Sequence, residues 1–268
     1  MNEQLLIKEA KLQSILRGYD SLAVAFSGGV DSTLLLDVAY EVLGEKAVAI
    51  TACMFGLPAR ELNEALVFCK ERGIRHIPVD FDEFAVAGFA ENPPDRCYLC
   101  KRELLTLLLD SAEKLGLSVL AEGSNLDDED DYRPGKRAVE ELDVASPLLQ
   151  AGFTKVDIRA LSQERGLPTW DKPACACLST RLPYGTPLSK ELLGNIGEAE
   201  QCIFDLGAKQ VRVRVHDDLA RIEVDEASIP LFLALSTREH ISSELQRLGF
   251  DYVTLDLQGY RVSGGRLK

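Results

Sequence analysis

The sequence of 268 residues is poor in aromatic side chains and in basic charge, and it has no long apolar run. Aromatic residues make up 7% of it, and 30 Lys and Arg stand against 43 Asp and Glu, which gives a net charge of −13. Because so acidic a surface repels phosphate backbones and anionic lipids, we expect neither general nucleic-acid binding nor membrane binding. No apolar run reaches the length of about 18 residues that a membrane span requires.

The N-terminal residues lack a basic stretch followed by an apolar core, so no secretory signal is expected and a cytoplasmic location is predicted. At about 150 residues per domain, the length suggests one large or two modest domains. A hydrophobic content of 46% with 27% charged residues excludes wholesale disorder. A chain of this size buries enough surface to fold without disulfides.

Short apolar runs alternate with amphipathic helical segments through the first part of the chain. The predicted strands lie at 22–26, 47–52, 74–79 and 118–121. The predicted helices lie at 2–16, 31–43, 59–72, 98–115, 135–142 and 154–165. Such alternation predicts an α/β fold, a doubly wound parallel sheet with helices on both faces.

The pattern changes after Trp170, where an irregular segment rich in proline begins. A helix at 189–206 follows, and two alternating runs around His216, Asp217 and Asp218 predict a β-hairpin. Two further helices and a last strand near 252–257 complete a smaller α+β unit. We therefore predict two domains, 1–169 and 170–268.

A glycine-containing loop follows the first predicted strand and precedes a helix. Its residues are Ser27, Gly28, Gly29, Val30, Asp31 and Ser32. Two glycines allow a tight turn, and the N–H groups at the helix start can then bind an anion. An aspartate would repel a bare phosphate here, so Asp31 suggests a Mg²⁺ ion between them. An ordinary strand–turn–helix corner with a capping aspartate is the alternative.

This loop lacks the lysine of the Walker pattern and resembles the SGGxDS loop of the PP-loop ATP pyrophosphatases. The resemblance implies an adenine nucleotide alpha hydrolase-like fold in the N-terminal domain. It also implies that ATP is bound, cleaved between its α and β phosphates, and used to adenylate a substrate, with Asp31 as a catalytic magnesium ligand.

An acidic loop follows the fourth predicted strand. Because ligands of doubly wound sheets bind beyond the carboxyl ends of the strands, this loop is expected to face the phosphate loop. Asn125 and Asp127 come first and are candidates for ATP or Mg²⁺ contacts. Arg133, among acids, is a candidate for binding a carboxylate or phosphate. For the remaining acidic residues of this loop, the alternative is a run of side chains exposed to solvent.

Four of the seven cysteines form two close pairs, Cys97 with Cys100 and Cys175 with Cys177. The first pair opens a predicted helix, whose positive end favours thiolates. Three of these thiolates would hold an Fe–S cluster with one open iron, and four would close a metal site. Two unrelated pairs of thiols are the alternative.

Two longer blocks, KPACACLSTRLPYG at 172–185 and VRVRVHDDLARIEV at 211–224, together with the phosphate loop and RCYLCK, resemble the LarE family. LarE enzymes are PP-loop sulfur transferases that build the nickel-pincer nucleotide cofactor of lactate racemase. The resemblance implies pyridinium-3,5-biscarboxylic acid mononucleotide as substrate. ATP would adenylate one carboxylate, pyrophosphate would leave, and sulfur would displace AMP to give a thiocarboxylate.

LarE enzymes obtain sulfur in two ways, and the sequence leaves both open. In one type a single cysteine gives up its own sulfur, and Cys177 matches that position best, with Cys175 as the alternative. In the other type three cysteines hold a [4Fe-4S] cluster that carries an extra sulfide. Cys97, Cys100 and Cys177 would be its ligands, with the third in doubt because Cys175 is so near. The family also suggests a homo-oligomer, with a hexamer as one option.

Arginines in the second predicted domain are candidates for the substrate's phosphate or carboxylate. Arg181 follows the second cysteine pair, and Arg212 and Arg214 alternate on a strand, so they share a face. Arginine suits bidentate phosphate binding. A solvated strand face bridged to acids is the alternative. Glu200 and Glu223 are candidates for the same pocket or a metal site, with ordinary salt bridges as the alternative.

Three rival functions use the same loop. A tRNA thiolase would share the adenylation step, but it would need a basic tract or an RNA-binding domain. A PP-loop synthetase that uses ammonia would leave both cysteine pairs without a role. A nucleotide sensor would bind ATP and release no pyrophosphate.

Overall fold

The computed structural model describes residues 3–128 and 135–261. These residues form two compact units. The first comprises Met1–Val86 and Asp95–Cys175, and the second Ala87–Pro94 and Ala176–Lys268, each within the described ranges. Over the described ranges, the structure contains no helix with the length and apolarity needed to cross a membrane.

The first unit contains a four-stranded sheet. Its strands are β1 (Leu22–Ala25), β2 (Ala47–Cys53), β3 (His76–Asp80) and β4 (Val119–Ala121), in the order β3-β2-β1-β4. All three pairings are parallel. The predicted parallel α/β sheet is therefore confirmed, and β1 lies at its centre between β2 and β4.

Helices cover both faces of this sheet, as predicted. They are α1 (Glu3–Arg17), α2 (Val30–Leu43), α3 (Ala59–Arg72), α4 (Arg96–Lys114), α5 (Lys136–Glu141), α6 (Pro147–Ala151) and α7 (Lys155–Glu164). Leu22 and Val24 pack into one hydrophobic cluster with α1, α2 and α7, whereas Ala23 packs into another with α4 and α5. Alternate residues of a strand point to opposite faces, so β1 has an apolar side chain at each position.

The sequence did not predict α6, which is only five residues long. It starts at Pro147, where the fixed φ of proline suits the first helical turn, and ends at Gly152 in the left-handed region. A helix this short carries too little periodic pattern to be predicted from the sequence.

The described part of the second unit contains a three-stranded sheet and two α-helices. Its elements are α8 (Lys190–Asp205), β5 (Val211–His216), β6 (Leu219–Val224), α9 (Leu235–Arg247) and β7 (Tyr252–Leu255). The strands lie in the order β5-β6-β7; β5 and β6 are antiparallel, and β7 is parallel to β6. The predicted hairpin is confirmed, and Asp217 in its turn adopts a positive φ of 54°.

One predicted helix of this unit is a 3-10 helix, Glu226–Leu233. Pro230 lies inside it and has no N–H to donate to an α-helical hydrogen bond.

The units do not divide where the sequence pattern changes. Trp170–Cys175 stays with the first unit, where Arg159 donates to the carbonyl oxygens of Trp170 and Lys172, both at 2.8 Å. The segment Ala87–Pro94 packs with the second unit instead. There the buried Asn92 side chain donates to the carbonyl oxygens of Pro183 at 2.7 Å and Thr186 at 3.0 Å.

Candidate functional site

The phosphate loop links the central strand β1 to helix α2. Gly28 has a φ of +70°, and a Cβ at that position would lie 3.3 Å from the Cβ of Ala65. The hydroxyls of Ser27 and Ser32 lie 3.2 Å apart and close the loop. No side chain caps the start of α2 at Gly29. The first N–H groups of α2 are therefore available to an anion at the carboxyl edge of the sheet.

Asp31 lies in the first turn of α2 and forms a salt bridge with a lysine of the same unit. The Lys155 ammonium, at the start of α7, donates to its two carboxylate oxygens at 2.5 and 2.6 Å. The Asn125 amide also donates to Asp31, at 3.3 Å. Burial raises the pKa of Asp31 in spite of Lys155, and nearby Asp128 adds to the rise. Asp31 is therefore a partly desolvated carboxylate poised to bind cations.

The start of the acidic loop lies beside Asp31. The buried Asn125 oxygen accepts from the backbone N–H of Asp127 at 3.1 Å. Asp127 in turn accepts from the backbone N–H of Lys155 at 2.6 Å. The structure thus brings the predicted residues Asn125 and Asp127 to the phosphate loop. Arg133 lies outside the described residues.

The oxygen donors around Asp31 fit a Mg²⁺ ion bound together with ATP. Magnesium prefers oxygen ligands and is commonly held by one or two carboxylates plus substrate phosphates. Asp31 supplies one carboxylate, with Asn125 and Asp127 near it. Within the described ranges, no three His, Cys, Asp or Glu side chains form a group that could hold a metal by themselves. Asp31 would therefore share the ion with phosphate oxygens.

Glycine at position 123 lets the end of β4 approach this loop closely. A Cβ there would lie 3.1 Å from both the Asp31 Cβ and the Ser32 nitrogen. The preceding residue, Glu122, is buried and pairs with Lys101 of α4 at 3.3 Å. Burial raises the pKa of Glu122, but Lys101 and hydrogen bonds from Ser124 and Ser146 hold it below its usual value. The ends of β1 and β4 and the start of α4 therefore meet at one edge.

The first cysteine pair opens α4 at this edge, as predicted. Cys97 is half-buried and Cys100 is buried. The Arg96 guanidinium lies 3.8 Å from the Cys97 sulfur, so a cationic side chain neighbours this thiol.

The second cysteine pair is divided between the two units. Cys175 is exposed at the end of the first unit, and Cys177 is the second residue of the segment of the second unit that holds Arg181. The Cys177 sulfur lies 2.8 Å from the Ser179 hydroxyl. Neither unit alone brings the predicted ligands Cys97, Cys100 and Cys177 together, so the cluster ligands stay a prediction.

Arg181, Arg212 and Arg214 are buried in the second unit, and two of them are paired with carboxylates. Arg181 forms two hydrogen bonds with Glu200, at 2.7 and 3.0 Å. Arg214 donates to Glu223 at 3.0 Å. The predicted residues are therefore clustered, and for these two pairs the salt-bridge alternative describes their contacts.

Arg212 differs, because no carboxylate among the described residues pairs with it. It is 8% exposed, and its guanidinium stacks on Tyr260 at 4.5 Å and donates to the Tyr260 hydroxyl at 3.0 Å. Burial lowers its pKa, and the charges of Arg181 and Arg214 lower it further. A buried guanidinium with no carboxylate in hydrogen-bonding contact favours the binding of an anion.

Glu223 adds an acceptor to the same cluster. Its Oε1 accepts from Arg214 and Arg221, whereas its buried Oε2 has no hydrogen-bond partner among the described residues. A buried acceptor without a donor is uncommon and suits a ligand hydroxyl.

Sequence reasoning missed four residues of these sites: Lys155, Gly123, Lys172 and Tyr260. Each is far along the chain from the residue it contacts, and although Lys172 opens the KPACACLSTRLPYG block, nothing in that block points to a contact with the phosphate loop. The loop context of Gly123, directly after a strand, was the one signal that pointed to a close approach.

A phosphate-binding loop at the carboxyl edge of a parallel sheet, with an aspartate in the first helical turn, defines a nucleotide-binding protein of the PP-loop class. The tRNA-specific 2-thiouridylase MnmA of Azorhizobium caulinodans is 32% identical over 57% of this chain and 48% of its own. Argininosuccinate synthase of Natronomonas pharaonis is 28% identical over 55% of this chain and 39% of its own. No protein-family model matches the chain.

A relative that matches nearly the whole chain narrows the class. Pyridinium-3,5-bisthiocarboxylic acid mononucleotide synthase of Lactiplantibacillus plantarum is 40% identical over 96% of this chain and 93% of its own. The chain belongs to this family, LarE, and it is an enzyme.

We predict that Gly123→Ala weakens ATP binding while the chain still folds. The added methyl would press on Asp31 and on the Ser32 nitrogen, so the phosphate loop must shift. We expect an increase of about tenfold in the dissociation constant for ATP, which is about 1.4 kcal/mol. Calorimetric titration measures it.

Gly194→Ala is the matched control, because a Cβ there meets nothing within 4 Å in helix α8. It should leave ATP binding unchanged and stabilise the fold by about 0.5–1 kcal/mol. Equal ATP affinities of the two variants would show that the contact at Gly123 does not shape the loop.

Proposed function

We propose that the protein is an ATP-dependent sulfur transferase acting on pyridinium-3,5-biscarboxylic acid mononucleotide. A substrate carboxylate oxygen attacks the α phosphorus of ATP, pyrophosphate leaves, and an acyl-adenylate forms. Sulfur then attacks the acyl carbon and AMP leaves with the carbon–oxygen bond pair, which gives a thiocarboxylate. A carboxylate by itself is a poor acceptor for sulfur, so the adenylation step is what makes the transfer feasible.

The observation that carries this proposal is the position of Asp31. It lies in the first turn of α2, beside N–H groups with no side-chain cap, and it already binds an ammonium group. Mg²⁺ bound there would neutralise the polyphosphate and polarise its oxygens. The N–H groups at the start of α2 would hold phosphate oxygens, and Lys155, which pairs with Asp31, would stabilise the negative charge that develops on the leaving pyrophosphate.

The substrate's phosphate is assigned to Arg212. Arg181 and Arg214 are already engaged with carboxylates, so Arg212 is the guanidinium of the cluster with charge left for a ligand. The unpartnered Glu223 Oε2 would accept a hydroxyl from the ribose. A cationic site paired with a hydroxyl acceptor suits a mononucleotide.

The sulfur has two candidate sources. In the sacrificial route the Cys177 thiolate attacks the acyl carbon, AMP leaves and a thioester forms. Loss of the Cα proton of Cys177 then breaks its Cβ–S bond, so the sulfur stays on the substrate as a thiocarboxylate and residue 177 becomes dehydroalanine. A [4Fe-4S] cluster, when bound, would supply a sulfide on its open iron. Cys97 and Cys100 share one helical turn and supply two of the three thiolates it needs. Because the described residues include no group of three His, Cys, Asp or Glu side chains that could hold a metal, we derive no step through a cluster.

Two observations favour a small-molecule substrate over tRNA: the fraction of the thiouridylase that this chain covers, and the net charge of the chain. The chain spans about half the length of the thiouridylase it matches, at 48% of that protein. The net charge of −13 also disfavours an RNA partner.

Asp31→Ala is expected to abolish magnesium-dependent pyrophosphate release from ATP in the presence of the pyridinium mononucleotide. The loss removes the carboxylate that would hold the ion, so we expect a fall of at least about a hundredfold, near 2.7 kcal/mol. A coupled phosphate assay measures the rate. Asp20→Ala, at an exposed aspartate, is the control. Unchanged release by Asp31→Ala would remove Asp31 from the mechanism.

Cys177→Ala is expected to release pyrophosphate at the rate of the parent and to form no thiolated product. Adenylation needs only ATP, Mg²⁺ and the carboxylate, whereas sulfur transfer needs the thiol. Product mass spectrometry with an iron and sulfide assay after anaerobic purification follows both routes. Cys202→Ala, on α8, should retain both activities. Thiolated product from Cys177→Ala would assign the sulfur to another residue.

Arg212→Ala is expected to weaken binding of the pyridinium mononucleotide and to leave ATP affinity unchanged. Hydrogen bonds to charged groups contribute about 1.5–3 kcal/mol, so the dissociation constant should rise at least about tenfold. Arg247→Ala, at an exposed arginine of α9, is the matched control. Equal substrate affinity of the two variants in a calorimetric titration would contradict the assignment of the phosphate to Arg212.

A further inference from the structure

Lys172 contacts the phosphate loop from the segment that leads to the second cysteine pair. Its ammonium donates to the carbonyl oxygen of Gly28 at 3.0 Å. It also pairs with Glu61 at 2.7 Å and with Glu64 at 2.6 Å, both on α3. The Lys172 side chain is only 13% exposed, and that of Glu61 only 2%.

The number of donors decides what Lys172 can do. A lysine ammonium has three hydrogens and no acceptor. Gly28, Glu61 and Glu64 occupy all three, so Lys172 has no hydrogen left for a phosphate. The carboxylates of Glu61 and Glu64 also neutralise its positive charge. Lys172 therefore does not resemble the Walker lysine, which binds phosphate directly.

We propose that Lys172 is a positioning residue that fixes the Gly28–Gly29 peptide so that the Gly29 N–H faces the phosphates of ATP. This inference rests on the proposed use of the loop for ATP. The Gly28 carbonyl and the Gly29 N–H belong to the same planar peptide, so holding one group fixes the direction of the other.

The surroundings of the peptide show why it needs holding. Gly28 has a φ of +70° and no side chain, so its own conformational preferences leave the peptide free to rotate. Within the described part of the chain, the Gly29 N–H makes one long contact of 3.4 Å, with the Ser27 hydroxyl. A cation on the carbonyl also polarises the peptide and strengthens its N–H as a donor.

Lys172 is itself held from two sides. Arg159 of α7 donates to the Lys172 carbonyl oxygen at 2.8 Å. Glu61 is buried on α3 and cannot move without breaking its packing. Three elements of the first unit, α3, α7 and the segment before Cys175, therefore converge on one carbonyl of the phosphate loop. A displacement of that segment would be transmitted to the nucleotide site.

The test replaces Lys172 without leaving a buried charge behind. Lys172→Met alone would leave the Glu61 carboxylate buried with only Arg60, at 3.4 Å, and could unfold the chain. The double variant Lys172→Met with Glu61→Gln removes that charge. The single variant Glu61→Gln is the reference with which the double variant is compared. Lys70→Met, at an exposed lysine of α3, is the matched control. Thermal melting confirms that each variant is folded.

Binding of two ligands, MgATP and adenosine, distinguishes a loss of loop positioning from a general loss of the nucleotide site. Against the Glu61→Gln baseline, the double variant should bind MgATP about tenfold more weakly in a calorimetric titration. Adenosine has no phosphate, so its affinity, measured by NMR titration, should change by less than about twofold. Lys172→Arg should recover part of the ATP affinity, because a guanidinium can still donate to the Gly28 carbonyl.

Either of two results would overturn the proposal. One is an unchanged MgATP affinity in the folded double variant; the other is an equal loss for adenosine and ATP. Failure of the proposed function looks different. In that case the parent would bind MgATP normally and release no pyrophosphate with the pyridinium mononucleotide, while the effect of Lys172 on MgATP binding would remain.

Discussion

The nucleotide site depends on the close approach of the end of β4 to the phosphate loop. β1 and β4 are neighbours in the parallel sheet, so their carboxyl ends emerge side by side. Glycine at position 123 lets the two backbones come together, since any Cβ there would lie 3.1 Å from the Ser32 nitrogen. This contact places Asn125 and Asp127 beside Asp31 and, through Glu122 and Lys101, places the first cysteine pair at the same edge.

The acidic composition makes it important which lysines and arginines of the sites already have carboxylate partners. In a chain of net charge −13, carboxylates outnumber the cations that can pair with them. Lys155, Lys172, Arg181 and Arg214 each have carboxylate partners in their own unit. A buried arginine with an aromatic partner and no carboxylate, as at Arg212, is therefore a marked exception.

The fold could be predicted from the sequence because its determinants are local. Apolar runs mark β1 and β2, and 3.6-residue periodicity marks α2 and α3, so element types and order followed directly. The Asp217 turn gave the hairpin in the same way. The excursion of Ala87–Pro94 into the second unit could not be predicted, because it depends on hydrogen bonds from Asn92 to residues about ninety positions away.

The candidate site also combines a part that is predictable from a local motif with a part that depends on contacts between distant residues. Ser27 to Ser32 form a contiguous motif whose chemistry is read from its residue types, and the structure places them in a strand–loop–helix turn. Lys155 and Lys172 approach that motif from more than one hundred residues away, and no sequence pattern links either lysine to the phosphate loop. Contacts between distant segments depend on how helices pack on the sheet, and single-sequence patterns do not encode that packing.

Counting donors and acceptors separates residues that bind a ligand from those that shape its site. Lys172 has three hydrogens and three acceptors within the protein, so its role is confined to the loop it holds. Lys155 shares two contacts with one carboxylate, and a phosphate arriving at Asp31 can therefore compete for it. Arg212 has five N–H donors, and among the described residues one side chain accepts from them, the Tyr260 hydroxyl. Desolvation makes an unused donor costly, so the residue with the most unmet hydrogen-bonding capacity in a buried site is the one that an anionic ligand stabilises most.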